Sequence, residues 1–153
     1  MNIRYIIGTP THLEHFIPLI RAYYAYDGHE FVEGHVRQTL TDFLTHPEYG
    51  RAYLIADGDT WVGYFILTFG YSLEFGGRDA FIDEIYLSES HRGQGVGRQT
   101  IAFILERARE IGLKAVHLEV LPQNTKAHRF YLQVGFEDRG QLMSQYVSAL
   151  SDK

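Results

Sequence analysis

Cysteine is absent from this sequence of 153 residues. Its absence excludes disulfide bonds, zinc or iron–sulfur centres with cysteine ligands, and any mechanism that forms a covalent thioester on the protein. A reducing, cytoplasmic environment fits such a chain. The eight histidines are scattered, and only His12 and His15 lie one helical turn apart, so we expect no metal site.

Long apolar runs are also lacking. No stretch approaches the roughly 18 uncharged apolar residues that a membrane span requires. The N-terminal segment has only a short apolar run and no small-residue cleavage site, which argues against secretion. Hydrophobic residues make up 45% of the chain and charged residues 22%, as is typical of a folded globular domain, and we expect no contact with a membrane.

Positive charge is scarce in the first part of the chain. Residues 1–90 carry five Lys and Arg against thirteen Asp and Glu, whereas residues 91–114 carry five against two. Nonspecific affinity for nucleic acid comes from many contacts between basic side chains and phosphates, so we expect no nucleic-acid partner. The short basic segment remains compatible with a small anionic ligand.

Hydrophobic periodicity and turn residues predict an α/β domain. Asp57-Gly58-Asp59 predicts a tight hairpin, and the parallel pairing of a βαβ unit is expected around residues 81–121. Thr11 and Glu14 have the spacing of a helix capping box. Strands are predicted at 3–8, 51–56, 61–70, 81–87, 115–121 and 141–148, a loop at 71–79, and helices from 11 towards 26, within 33–45, from about 98 to 111, and from 125 to 134.

A glycine-rich segment, Arg92 to Gly97, joins a predicted strand to a predicted helix. Backbone N–H groups at a helix N-terminus can bind a phosphate, and Arg92 and Arg98 add Coulombic attraction. A P-loop would need Gly-Lys-Ser/Thr, and a dinucleotide fingerprint would need glycine where Arg98 stands. A tight turn that merely requires glycine is the alternative, but three alternating glycines at this junction favour an anion site.

The same segment resembles the signature Arg/Gln-x-x-Gly-x-Gly/Ala of the GNAT superfamily of acyl-CoA N-acyltransferases, matched at Arg92, Gly95 and Gly97. The preceding strand, the Asn-containing turn after the next strand, and the run Ala-x-x-Phe-Tyr-x-x-x-Gly-Phe at 127–136 follow the family's order and spacing. The layout is similar to that of polyamine and diamine N-acetyltransferases. The resemblance implies a single N-acetyltransferase domain over 1–153, with a mixed, mostly antiparallel central sheet, a parallel βαβ unit at the cofactor site, and flanking helices.

The resemblance also implies acetyl-CoA as co-substrate. The loop amides of residues 93–98 would hold the pyrophosphate, and the strand edge at 85–87 would pair with the pantetheine arm like an added strand. Asn124 would hydrogen-bond that arm, and it could equally cap a helix. The implied cofactor-binding residues are Ile85, Tyr86, Leu87, Arg92, Gly93, Gln94, Gly95, Val96, Gly97, Arg98, Asn124 and Ala127.

Direct acetyl transfer requires a neutral amine, and an alkylamine with a pKa of about 10.4 costs roughly 4–5 kcal/mol to deprotonate at neutral pH. Asp83 and Glu84 are the acids on the strand that leads to the glycine-rich segment, and they are the candidate bases. Because side chains alternate along a strand, one of them should face the cleft unless a bulge intervenes. The alternative for each is a solvated or salt-bridged acid.

Tyr131 is the candidate acid for the leaving thiolate. A thiolate with a pKa of about 8.5 can receive a proton from a tyrosine with a pKa near 10, which stays protonated at neutral pH. By resemblance Tyr131 would lie beside the thioester sulfur. A core position is the alternative, because Tyr131 shares an apolar helical face with Ala127, Phe130 and Val134.

The acidic first part of the chain favours a small cationic amine or polyamine as acceptor. Glu30, Glu33 and Glu74 in loops, and Glu119 on a neighbouring strand, are the candidate substrate-binding acids, with solvated loops as the alternative. Two other functions stay open, which are acetylation of a peptide or protein N-terminus or lysine, and a non-catalytic acyl-CoA-binding regulatory module. A homodimer is also left open.

Overall fold

The computed structural model describes residues 1–140 and 142–146. The chain divides into two compact units, the first over Met1–Leu118 and the second from Glu119 onward. The first unit contains β1 (Ile3–Ile7), α1 (Leu13–Asp27), α2 (Glu33–Thr45), β2 (Gly50–Asp57), β3 (Thr60–Ser72), β4 (Gly77–Leu87), α3 (Val96–Glu110) and β5 (Ala115–His117), with short 3-10 helices at Pro10–His12 and Glu89–His91. Among the described residues of the second unit, the regular element is α4 (Thr125–Gln133).

One sheet holds the five strands in sequence order. The pairs β1–β2, β2–β3 and β3–β4 are antiparallel, and β4–β5 is parallel. Because parallel neighbours need a crossover, α3 connects β4 to β5. The predicted fold class, a mostly antiparallel sheet with one parallel βαβ unit and flanking helices, is confirmed. The predicted hairpin is also confirmed, since Asp57 pairs with Thr60 across Gly58 and Asp59.

One face of the sheet is covered by α1 and α2. Both helices carry apolar residues three or four positions apart, which fall on one helical face and pack on the alternate residues of β2 and β3. α1 continues through Pro18. The buried cluster consists of Phe16, Ile17, Ile20, Val36, Leu40, Ala52, Leu54 and Tyr64.

The opposite face is covered by α3. The Phe103 ring stacks on Tyr5 with ring centroids 4.2 Å apart and also contacts Tyr53 and Phe65. Thr100, which is buried, donates to the Val96 carbonyl oxygen and shares a hydrogen bond with the Tyr5 hydroxyl. These contacts fix the direction of α3 and therefore the place where its N-terminus opens.

Several predicted boundaries are wrong. The capping box is formed by Thr9 and His12 before a 3-10 turn, while Glu14 binds Arg37. The predicted loop at 71–79 is mostly paired strand, because β3 and β4 continue to Ser72 and from Gly77. β5 ends at His117 and does not reach residue 121. Of the predicted strand at 141–148, residues 142–146 are in no strand and the others lie outside the described residues.

In the described part of the chain, no helix combines the length and the apolar character needed to cross a membrane.

Replacing Gly50 should test the packing of β2 on β3. A Cβ atom there would overlap the Leu67 carbonyl oxygen and lie 2.8 Å from the Phe43 ring, so the backbone must shift. We expect Gly50→Ala to lower the free energy of unfolding by about 2 kcal/mol or more. The control is Gly34→Ala in α2, where a Cβ meets no atom within 4 Å and should cost nothing. Urea denaturation measures both, and equal stabilities would contradict the packing described.

Candidate functional site

The free edge of β4 is the first feature of the candidate site. β4 pairs with β5 only through Asp79, Ala80 and Phe81, opposite residues 115–117. Beyond Phe81, β4 stays paired with β3 as far as Leu87, and the described residues give it no strand partner on the other side. This edge, which includes Ile85, Tyr86 and Leu87, therefore presents backbone groups that an extended ligand can pair with.

A β-bulge interrupts β4 at Asp83. Leu67 of β3 pairs with Ile82 and Ile66 pairs with Glu84, so Asp83 is the extra residue. Ile82 keeps the α3 side of the sheet with Leu67, and Glu84 shares the side of α1 and α2 with Ile66. Burial raises the pKa of Tyr24 on α1, and the charges of Glu84 and Asp83 raise it further. The bulge thus puts Ile82 and Glu84 on opposite sides of the sheet, although they are two positions apart.

The Glu84 carboxylate is held by two tyrosines. Tyr64 donates to Oε1 at 2.6 Å, and Tyr24 donates to Oε2 at 2.8 Å. Burial raises the pKa of Glu84, while both hydrogen bonds lower it. The same burial and the nearby carboxylate raise the pKa values of Tyr64 and Tyr24, so both phenols stay protonated and continue to donate. Glu84 is therefore a fixed acceptor with defined orientation.

Asp83 differs from Glu84 in accessibility. The residue is exposed, yet desolvation by the surrounding protein atoms raises the pKa of its carboxyl group. The described residues show no hydrogen-bond donor to this carboxylate. An exposed carboxylate with a raised pKa can accept a proton from a ligand or a water molecule. Of the two candidate bases, Asp83 is the one open to solvent.

The glycine-rich segment ends at the N-terminus of α3. Gly93 and Gly95 have left-handed backbone conformations, with φ of 70° and 86°, and Gly95 is the N-cap residue of α3. The first N–H groups of a helix have no partner within the helix, so the amides of Val96, Gly97 and Arg98 are available. Gly93, Gln94 and Arg98 are exposed. The geometry suits an anion at the positive end of the helix dipole.

Arg92 has partners within the protein. Its Nε donates to the Leu87 carbonyl oxygen at 2.8 Å, and its guanidinium lies over the rings of Tyr26 at 4.3 Å and Tyr86 at 5.7 Å. These contacts connect the end of β4 to the end of α1. Arg92 thus contributes positive charge at the start of the glycine-rich segment while its side chain is held in place.

The second unit holds the remaining predicted residues. Asn124 caps α4, because its side-chain oxygen accepts from the Ala127 N–H at 3.2 Å. Tyr131 contacts the rings of Phe130 and Phe136, and burial raises the pKa of its hydroxyl. The helix-capping role of Asn124 is confirmed, and Tyr131 has an apolar environment on one side of its helix.

The candidate substrate-binding acids differ in their surroundings. Glu30, Glu74 and Glu119 are exposed, and Glu119 follows the end of β5, so its predicted position on a strand is wrong. Glu33 binds Arg21 and Arg37. No group of three or more His, Cys, Asp or Glu side chains suited to a metal ion occurs among the residues described.

Two side-chain contacts on the α1 and α2 side of the sheet are not evident from the sequence. Tyr64 is separated from Glu84 by 20 positions, and only the β3–β4 register brings them together. His117 and Asp79 form a pair with Nε2 and Oδ2 2.9 Å apart, on the same side of the sheet as Glu84. Alternation along β3 puts Tyr64 and Ile66 on the same side of the sheet. The contact between Tyr64 and Glu84 could be inferred from this alternation only if the bulge in β4 were known.

Comparison with known proteins identifies the family. Residues 16–136 match the Acetyltransferase (GNAT) family. Thialysine N-epsilon-acetyltransferase from Bos taurus is 35% identical over 81 residues, which are 53% of this chain and 47% of that protein. The integron cassette protein HFX_CASS3 from the mobile metagenome of Cole Harbour Salt Marsh has a TM-score of 0.84 at 25% identity, covering 95% of this chain and 91% of that one.

A third similarity supports the fold alone. AAC(6')-Iy, solved in complex with the bisubstrate analogue CoA-S-monomethyl-acetylneamine, has a TM-score of 0.80 at 16% identity, over 97% of this chain and all of that one.

The match over residues 16–136 shows that the chain belongs to the GNAT family of acetyltransferases. It spans about half the length of the curated relatives that it matches.

Replacing Asp83 should reveal its raised pKa as a change in stability. A raised folded-state pKa means that the folded protein binds the proton more tightly than the unfolded chain. The resulting stabilisation is present below the unfolded pKa of about 3.9 and is lost as pH rises through the folded value. Asp83→Asn has no such loss. The stability of the variant relative to wild type should therefore increase as the pH rises from about 4 to 7. Urea denaturation at both pH values measures the gain, and a gain in the opposite direction would contradict the desolvated carboxyl.

Replacing Gly95 should separate loop geometry from general strain. Gly95→Ala places a side chain at φ 86°, which costs roughly 1–2 kcal/mol and shifts the amides at the start of α3. Gly112→Ala is the control, because Gly112 has φ 79° after the other end of the same helix and equally open surroundings. We expect similar losses of stability, with loss of acetyl-CoA affinity for Gly95→Ala only and a greater loss for Gly95→Val. Calorimetry on the folded variants measures the acetyl-CoA affinity. Equal affinities of Gly95→Ala and Gly112→Ala would contradict an anion site at the start of α3.

Proposed function

We propose that this chain is an acetyl-CoA-dependent N-acetyltransferase that transfers the acetyl group directly to a primary amine, and that the amine is a small cationic amine or polyamine. The observation that carries the proposal is the continuity of three features along one stretch of chain. The bulge with Asp83 and Glu84, the free β4 edge, and the open N-terminus of α3 follow one another within residues 83–98.

The backbone geometry supports the proposed cofactor site. The amides of residues 93–98 and the dipole of α3 suit a pyrophosphate, and Arg98 adds an exposed positive charge. The edge of β4 at Ile85–Leu87 suits the amide groups of pantetheine, which would pair with it like an added strand. Asn124 and Ala127 are proposed to contact the same arm. The family match spans residues 16–136, across both units, which supports one N-acetyltransferase domain over 1–153.

The acids of the bulge serve the amine. An ammonium group arriving at the α1 side of the sheet meets the fixed charge of Glu84 and the exposed carboxylate of Asp83. Glu84, oriented by Tyr24 and Tyr64, holds the cation, and Asp83 accepts its proton through water. The exposed acids Glu30, Glu74 and Glu119 are proposed to raise the local concentration of cationic acceptors.

Tyr131 is proposed to serve the leaving group. The neutral amine attacks the thioester carbonyl carbon, a C–N bond forms, and the C–S bond breaks as the tetrahedral centre collapses. The Tyr131 hydroxyl donates its proton to the sulfur. The attacking nitrogen loses one further proton as the amide forms, and that proton restores the Tyr131 hydroxyl. Because burial raises the pKa of Tyr131, the hydroxyl is protonated at neutral pH and ready to donate.

Replacing Tyr131 tests the acid. Tyr131→Phe should lower kcat by about 100-fold or more at nearly unchanged acetyl-CoA affinity, since the lost proton transfer acts in the transition state. Tyr49→Phe, at a half-exposed position between α2 and β2, is the control and should leave kcat unchanged. Steady-state kinetics and calorimetry measure the two quantities. An unchanged kcat in Tyr131→Phe would leave Tyr131 with a packing role only.

An amine panel tests the acceptor. With detection of the free thiol of coenzyme A, we expect diamines and polyamines to react faster than amines with a neutral tail, and the rate to rise from about pH 6 to pH 9 as the amine deprotonates. Asp83→Asn and Glu84→Gln should lower kcat/KM more for diamines, and added salt should weaken the preference.

Two other outcomes would replace this substrate class. Preference for peptides would favour acetylation of a protein N-terminus or lysine. Binding of acetyl-CoA without turnover of any amine or peptide would favour a regulatory module that binds acyl-CoA.

A further inference from the structure

The glycine-rich segment depends on its flanks for a defined shape. Gly93 and Gly95 adopt left-handed conformations, and a Cβ at either position would meet no atom within 4 Å. Glycine loses more conformational freedom on ordering than other residues do, so such a segment is fixed only by bonds from neighbouring residues. Gln94 Nε2 donates to the Ser90 carbonyl oxygen at 2.7 Å. The shape of the segment therefore depends on the turn that contains Ser90.

His91 holds this turn. Its Nε2 lies 2.9 Å from Asp57 Oδ2, and its Nδ1 lies 2.9 Å from Ser90 Oγ and 3.2 Å from Ser88 Oγ. The His91 and Asp57 side chains are only 17% and 26% exposed. A ring that satisfies both nitrogens in a largely buried place has one orientation, so it fixes the backbone of Glu89–His91 from which the glycine-rich segment departs.

Asp57 gives this contact a rigid base. It is the last residue of β2, at the tight turn into β3, and its Oδ1 accepts from the Asn2 N–H at 2.9 Å. The hydrogen bond from His91 is the main cause that lowers the pKa of Asp57, so the carboxylate is ionised at neutral pH and its bond to the imidazole is charge-assisted. The link joins the glycine-rich segment to a hairpin 34 positions away in sequence.

We propose that His91, oriented by Asp57, is a positioning residue that holds the glycine-rich segment in the shape that binds the pyrophosphate of acetyl-CoA. The inference rests on the proposed function, because it needs the anion at this segment to be that pyrophosphate. Without the link, the segment samples other shapes, and the apparent affinity falls by the fraction of molecules that keep the competent one. The effect falls on the pyrophosphate and leaves the pantetheine contacts of β4 intact.

The test compares two ligands in calorimetry or in competition binding. Acetyl-CoA carries the pyrophosphate, and S-acetylpantetheine carries the arm without it. We expect His91→Gln and Asp57→Asn each to weaken acetyl-CoA binding by about tenfold, the loss of about 1.4 kcal/mol that one charge-assisted hydrogen bond supplies, with S-acetylpantetheine unchanged. His46→Gln is the control, because His46 pairs with Asp42 at the end of α2 and should alter neither affinity.

Each outcome decides the inference. If wild type binds acetyl-CoA no better than S-acetylpantetheine, the proposed anion site itself is wrong. If wild type shows the preference and both variants keep it, the positioning role is wrong while the proposed function stands. Equal weakening of both ligands would indicate general loosening and would also overturn the role. Should His91→Gln fail to fold, Asp57→Asn retains an oxygen acceptor for the Asn2 N–H and gives the same comparison.

Discussion

Asp83 has no partner residue on β3, and this single insertion determines what the end of β4 presents. In a regular strand, Ile82 and Glu84 would share a face, and one of them would be forced onto the wrong side of the sheet. The α3 side is a packed aromatic and aliphatic core around Phe65 and Phe103, where an unpaired carboxylate would be costly to desolvate. The bulge places Ile82 on that side of the sheet and Glu84 on the side of α1, where Tyr24 donates to it.

This arrangement has an energetic cost that is balanced locally. Burial raises the pKa of Glu84, and the charge of Asp83 raises it further, while desolvation raises the pKa of Asp83. Tyr64 and Tyr24 offset part of the cost by donating to Glu84. A cation bound there would offset more, so a site that is unfavourable when empty gains stabilisation from the ligand that fits it. Partly buried carboxylates with raised pKa values are typical of functional sites, where they lower stability in exchange for chemistry.

Local signals in the sequence predict much of the fold. The Asp57-Gly58 turn, the periodicity of α3 and the order of the first five strands are read from neighbouring residues, and the structure has these features. The bulge at Asp83 and the tyrosine partners of Glu84 are not readable in this way, because register depends on pairing between distant strands. The predicted loop at 71–79 is wrong for a related reason, since its glycines suggested a break where cross-strand bonds extend the hairpin.

The central claim is that the free β4 edge and the start of α3 together bind acetyl-CoA. Backbone amide NMR of the full chain during titration with acetyl-CoA tests it most directly, because it reports each amide separately. The account predicts saturable shifts concentrated at residues 85–87 and 93–98, with those of Val96, Gly97 and Arg98 among the largest. Saturable binding with its shifts elsewhere and none at these amides would contradict it.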